Sequence, residues 1–208
     1  MIIYVDYDGT LVNFIQPWLD HINQEENTKL TTQNYKEDKY KEVSKKYFKI
    51  FNNEKYYEKV SNFENYRDFL TNLKTINKDI KLKILTSNIS YKQEDGKQKH
   101  IEGNELEELI EEVIHLTKGK TKQKKYEISN NGHLIDDDIR HILEHCKNNE
   151  GFGILINLNN QFIYPEEKLN ELKGLKNFKY MTSYNEIISF MAKQQPKEEK
   201  TKTNKIEK

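Results

Sequence analysis

The apolar, β-prone run Met1-Ile2-Ile3-Tyr4-Val5 stops abruptly at Asp6-Tyr7-Asp8-Gly9-Thr10-Leu11-Val12, and Asn13-Phe14 follows. Residues two apart on a strand face the same way, so this run delivers two carboxylates together where the strand ends. Gly9 then lets the chain turn away with little steric restriction. Two carboxylates this close repel unless a cation sits between them or one of them holds a proton. Hard divalent cations such as Mg²⁺ take oxygen ligands, and two aspartates begin such a shell. A charged turn is the competing reading, because Asp-Gly is also a turn signal.

Later segments decide between the two. Lys81-Leu82-Lys83-Ile84-Leu85 is a second strand pattern and ends in Thr86-Ser87-Asn88. A third, Gly132-His133-Leu134-Ile135, ends in Asp136-Asp137-Asp138, and the lysine-rich Lys118-Gly119-Lys120-Thr121-Lys122 lies between them. In open α/β sheets, sites form beyond the carboxyl ends of the strands. A carboxylate nucleophile, a proton donor, a hydroxyl, a cation and further carboxylates suit phosphoryl transfer.

In this order the segments resemble the motifs of the haloacid dehalogenase superfamily of phosphohydrolases. Asp6-x-Asp8-Gly9-Thr10-Leu11-Val12 is similar to its first motif, Thr86 to its second and Asp136-Asp137 to its fourth. Lys118, Lys120, Lys122, Lys124 and Lys125 all fall where the third is expected, and Leu116-Thr117-x-x-Lys120-Thr121 favours Lys120. The resemblance spans roughly residues 1–160. It implies a Rossmann-like parallel sheet with helices on both faces, and a small, mostly helical cap between the first two motifs. The core is expected at 1–12 and 66–191, the cap at 13–65 and a disordered charged tail at 192–208.

The resemblance also implies roles. Asp6 would attack phosphorus and form an aspartyl-phosphate, while Asp8 would protonate the leaving oxygen and later activate water. Thr86, with Ser87, and Lys120 would hold phosphate oxygens. Asp6, the Asp8 carbonyl, Asp136 and Asp137 would hold Mg²⁺, with the division of labour between Asp136 and Asp137 left open.

Within that superfamily the chain looks most like the 5′(3′)-deoxyribonucleotidases and their bacterial and phage relatives. Asp6-x-Asp8-Gly9-x-Leu11-Val12-x-Phe14, Leu30-Thr31-Thr32, the stretch from Phe51 to Tyr57 and Leu134-Ile135-Asp136-Asp137 carry that likeness. It implies a nucleoside monophosphate as substrate, with Phe14 as first base contact and Phe51, Tyr56 and Tyr57 behind it; packing inside the cap is the alternative for each ring. A phosphatase for another small phosphoester or a nucleic-acid 3′ end, and a non-catalytic binding protein on the same fold, are the competing functions.

The remaining residues set the surroundings. Lys+Arg and Asp+Glu balance at 34 each, which gives no clear nucleic-acid surface. One cysteine, Cys146, excludes an intrachain disulfide and fits a reducing compartment. No run reaches the ~20 apolar residues of a membrane span, and the first motif stands where a signal peptide would, so a cytoplasmic protein is expected. A homodimer is left open. Periodicity predicts helices from Phe14 to Ile22, Tyr66 to Ile76, Leu106 to Ile114, Ile139 to Cys146 and Tyr184 to Met191, a loop over Asn88–Asn104, and strands at 152–156 and 179–181. His141 and His145, four apart, lack partners at a recognised zinc spacing.

Overall fold

The computed structural model describes residues 1–117 and 127–194. Six strands form one sheet: β1 (Ile2–Val5), β2 (Lys81–Asn88), β3 (Glu112–Thr117), β4 (His133–Asp136), β5 (Gly153–Ile156) and β6 (Phe178–Met181). Their order is β3-β2-β1-β4-β5-β6, and every pairing is parallel. The chain steps outward from β1 to β3, then returns to the other side of β1 for β4. This reversal opens a crevice at the carboxyl ends of β1, β2 and β4, where ligands bind in such sheets.

Side chains alternate between two cores, as the period of a strand requires. Ile3, Val5, Leu82, Ile84, Ile154 and Ile156 face α3 (Tyr66–Ile76), through Phe69, Leu70 and Leu73, and α7 (Tyr184–Lys193), through Ile187 and Met191. Tyr4, Leu85, Leu134 and Leu155 face α5 (Ile139–Asn148), through Ile139, Ile142 and Cys146, and α6 (Glu166–Lys173), through Leu172. Helices therefore cover both faces. Burying one such side chain is worth about 1.5–3 kcal/mol, which makes the sheet a stiff platform for its loops.

Residues 13–65 hold α1 (Gln16–Glu26), α2 (Lys41–Tyr47) and short 3-10 turns at Asp38–Tyr40, Phe48–Asn52 and Glu54–Lys59. Their Trp18, Leu19, Ile22, Phe51, Tyr56 and Tyr57 pack into the same cluster as Ile3 and Val5. Phe14 stacks on Phe51 with ring centroids 4.8 Å apart, and Phe51 on Trp18 at 5.3 Å.

Three sequence expectations are corrected. The polar stretch 88–104 contains α4 (Tyr91–Gly103), not a loop. Ser90 caps it, and its buried face is Gln93, Gly96, Lys97 and Ile101, so apolar periodicity is absent. The expected helix from Leu106 to Ile114 is instead a turn followed by β3, whose Val113 and Ile114 pair with Ile84 and Leu85 of β2. The polar α6 was not anticipated. The expected tail from 192 begins inside α7, which ends at Lys193, and its remainder from 195 lies outside the described residues.

Candidate active site

β1 ends at Val5, and Asp6 continues its ladder by donating from its backbone N–H to Ile135 O (2.9 Å). The chain then closes a tight loop in which Leu11 N and Val12 N both donate to Tyr7 O, at 2.9 and 3.1 Å. Gly9 has φ +75°, and a Cβ there would fall 2.4 Å from Asp137 Oδ2. Glycine is thus required twice, by the backbone and by the carboxylate lying against it. From behind, Tyr184 Oη donates to Thr10 O (2.6 Å) and Tyr7 Oη donates to His100 Nδ1 (2.7 Å). His100 Nε2 lies 3.1 Å from Val60 O, so it carries the ring proton; burial pushes this imidazole below its ordinary range and keeps it neutral.

Asp6, Asp136 and Asp137 each offer a carboxylate oxygen, all within 4.8 Å of one another. Asp6 and Asp136 are buried, and Asp137 is partly open. Asp136 Oδ1 accepts from Asp138 N (2.7 Å), and its Oδ2 lies 3.1 Å from His141 Nδ1. Asp138 in turn caps α5 through Arg140 N. Tyr164 Oη donates to Asp137 O (2.7 Å). An all-oxygen carboxylate set suits a hard cation such as Mg²⁺ better than a soft one.

Asp8 stands apart from that triad. Its Oδ2 is 2.9 Å from Lys97 Nζ, and Tyr57 Oη is 2.9 Å from both of its oxygens. Burial and the Asp8 charge push the Tyr57 hydroxyl well above its ordinary range, so it stays a donor. Lys97, wholly buried on α4, also donates to Thr86 Oγ1 (2.6 Å) and Ser87 O (2.9 Å) at the end of β2. An ammonium only donates, so the Thr86 oxygen accepts and its own proton is left for another acceptor.

Part of this set lines a cavity of about 890 Å³ that also touches Phe14, Ile15, Tyr35, Lys36, Phe162 and Tyr164, with Asp136, Lys97 and Tyr57 outside its lining. Asp6, Asp8, Thr86, Ser87 and Asp137 reach it from the sheet, and Phe14 from the chain just beyond the motif. Three expected base contacts do not line it. Phe51 and Tyr56 are buried among the cap aromatics, 5% and 4% exposed, and Tyr57 at 1% presents its hydroxyl to Asp8 instead. Lys120 lies outside the described residues. Among the described residues, the lysine in contact with both Asp8 and Thr86 is Lys97, on a polar helix that apolar periodicity does not reveal.

No protein-family model matches the chain, and no curated protein matches it. Solved structures do. A HAD family hydrolase from Deinococcus radiodurans R1 with bound phosphate and sodium superposes with a TM-score of 0.58 at 13% identity, over 92% of this chain and 95% of that one. The protein YfnB from Bacillus subtilis bound to magnesium gives 0.56 at 14%, over 91% and 97%. A HAD-superfamily hydrolase from Ehrlichia chaffeensis gives 0.56 at 12%, over 92% and 96%. The chain therefore has the α/β fold of the haloacid dehalogenase superfamily along nearly its whole length, as its motifs implied. Among the described residues no helix is long and apolar enough to cross a membrane.

Proposed function

We propose that the chain is a Mg²⁺-dependent phosphomonoester hydrolase that works through Asp6, with nucleoside monophosphates as its substrates. One observation carries this reading: Asp6, Asp8, Thr86, Lys97, Asp136 and Asp137 converge at the crevice where strand order reverses. Three carboxylates form one group there, and a buried lysine, a hydroxyl and a separate carboxyl form another.

Asp6, Asp136 and Asp137, with the Asp8 carbonyl, would hold the ion. When bound, Mg²⁺ would offset the charge between Asp6 and the phosphoryl oxygens. Asp6 attacks phosphorus in line, forming an aspartyl-phosphate as the bond to the leaving oxygen breaks. Asp8 gives that oxygen its proton, then takes one from the water that releases phosphate. The Thr86 hydroxyl faces the growing charge on the transferring group, and Lys97 behind it, its three donors taken by Asp8, Thr86 and Ser87, adds a positive charge in a water-poor wall.

The nucleotide reading draws support from the aromatic lining of the cavity. Phe14, Tyr35 and Phe162 line the space of about 890 Å³, and aromatic rings hold a base with little preference for its identity. Phe14 is the base contact retained from the sequence.

The test is phosphate release from a panel of nucleoside monophosphates and sugar phosphates with Mg²⁺, beside Asp6→Asn. Turnover of nucleotides, lost in the variant and on chelation, is the expected result. Turnover of sugar phosphates alone would retain the hydrolase and discard the nucleotide. No turnover anywhere, with Mg²⁺ still bound, would discard both.

A further inference from the structure

We propose that Tyr57, a residue of the cap, is a positioning residue for Asp8: with Lys97 it fixes the orientation of the carboxyl that serves the leaving group. This rests on the hydrolase reading above, in which Asp8 is the acid–base group.

The geometry has two parts. Lys97 Nζ, which can only donate, is 2.9 Å from Asp8 Oδ2, so Oδ2 accepts and Oδ1 is the oxygen left to carry a proton. Tyr57 Oη is 2.9 Å from each oxygen. Its hydroxyl can donate to Oδ2 while Oδ1 bears the proton, and swing to Oδ1 once that proton has moved. The step balances: the bond from phosphorus to the leaving oxygen breaks, that oxygen takes the Oδ1 proton, and Asp6 holds the phosphoryl group. Asp8 is then a carboxylate with a donor at each oxygen, without any movement of its side chain.

The second part is how firmly Tyr57 is held. Its ring lies among Phe14, Tyr56 and His100, with centroids 5.7, 6.0 and 5.8 Å away. The Glu54–Lys59 turn that carries it rests directly on α4. A Cβ at Gly96 would lie 2.2 Å from Glu54 O, so only glycine allows this approach. Gly96 immediately precedes Lys97. The two donors to Asp8 thus come from the cap and the core beside a close approach of their backbones, and seating the cap there completes the site.

The test is Tyr57→Phe, which removes the hydroxyl alone. We would measure kcat/KM, which covers the steps through departure of the leaving group, for a nucleoside 5′-monophosphate and for p-nitrophenyl phosphate. A sugar alkoxide needs a proton to leave, whereas p-nitrophenolate does not. The expected result is a loss of about tenfold or more on the nucleotide and no more than about twofold on p-nitrophenyl phosphate. Thermal denaturation checks that the variant folds, and Tyr47→Phe, which removes a cap hydroxyl that donates to Glu26 Oε1 at 2.6 Å, should keep the wild-type ratio of the two substrates. An equal loss on both substrates, no loss on either, or the same skew in Tyr47→Phe would overturn the role of Tyr57 and leave the hydrolase standing. A wild-type protein inactive on both would instead remove the hydrolase reading, and this inference with it.

Discussion

Lys97 Nζ lies 2.6 Å from Thr86 Oγ1 at the end of β2, and the lysine side chain is wholly buried. Together with Asp8 this makes a buried contact between a helix, a strand end and the first loop. Removing one member leaves the others without a partner they cannot easily replace from water. Lys97→Met is expected to lose about 2 kcal/mol of stability and about 100-fold in turnover. Denaturant melts and phosphate-release rates check both. A variant with near wild-type turnover would exclude Lys97 from the chemistry.

Gly9 and Asp137 form a second test pair. Gly9→Ala must place a methyl against the Asp137 carboxylate, 2.4 Å away, at a φ of +75°. The strain is worth about 1–3 kcal/mol, and a displaced Asp137 should weaken Mg²⁺ binding about tenfold. Calorimetric titration of Mg²⁺ and a thermal melt report the two effects separately. Unchanged affinity would mean that Asp137 does not contribute to the ion site.

Stability should fall in mild acid because of His145. Burial pushes its imidazole from the ordinary 6.5 down to about 4, and Nε2 donates to Gly151 O at 3.1 Å. The unfolded chain therefore takes up a proton between those values that the folded chain refuses. This contribution is complete above pH 6.5 and is lost as pH falls through 4, amounting to about 3 kcal/mol. His100 and His133, both lowered by burial, act in the same direction. Unfolding free energies at pH 7.5 and pH 5 should differ by about 2 kcal/mol of this through His145 alone, and His145→Gln should flatten the difference. An unchanged slope in the variant would show that other groups carry the acid sensitivity.

Legibility in the sequence followed how each residue is buried. β1 and the Asp6-x-Asp8-Gly9 loop were readable because an apolar run ends in carboxylates at period two. Asp136-Asp137 were readable because another apolar run ends in carboxylates, and Thr86 only through its place in the order of motifs, although β2 runs through to Asn88 and includes Thr86 itself. Lys97 was hidden because α4 buries polar groups. Its one local signal is the Ser90-x-x-Gln93 cap, in which Ser90 Oγ accepts from Gln93 N and Gln93 Oε1 accepts from Ile89 N. The false helix at 106–114 arose where apolar spacing matched a helix while β-branched Val113 and Ile114 paired into the sheet. Phe51, Tyr56 and Tyr57 were read as base contacts, and spacing alone could not separate a ring facing a cavity from one packed behind it.

The decisive measurement is acid-quenched capture of the enzyme during turnover of a ³²P-labelled nucleoside monophosphate with Mg²⁺. Hydroxylamine-labile label should appear on the peptide containing Asp6 and be absent in Asp6→Asn, which should also cease turnover. Sustained phosphate release by Asp6→Asn, or label on a peptide without Asp6, would contradict the assignment of Asp6 as the nucleophile.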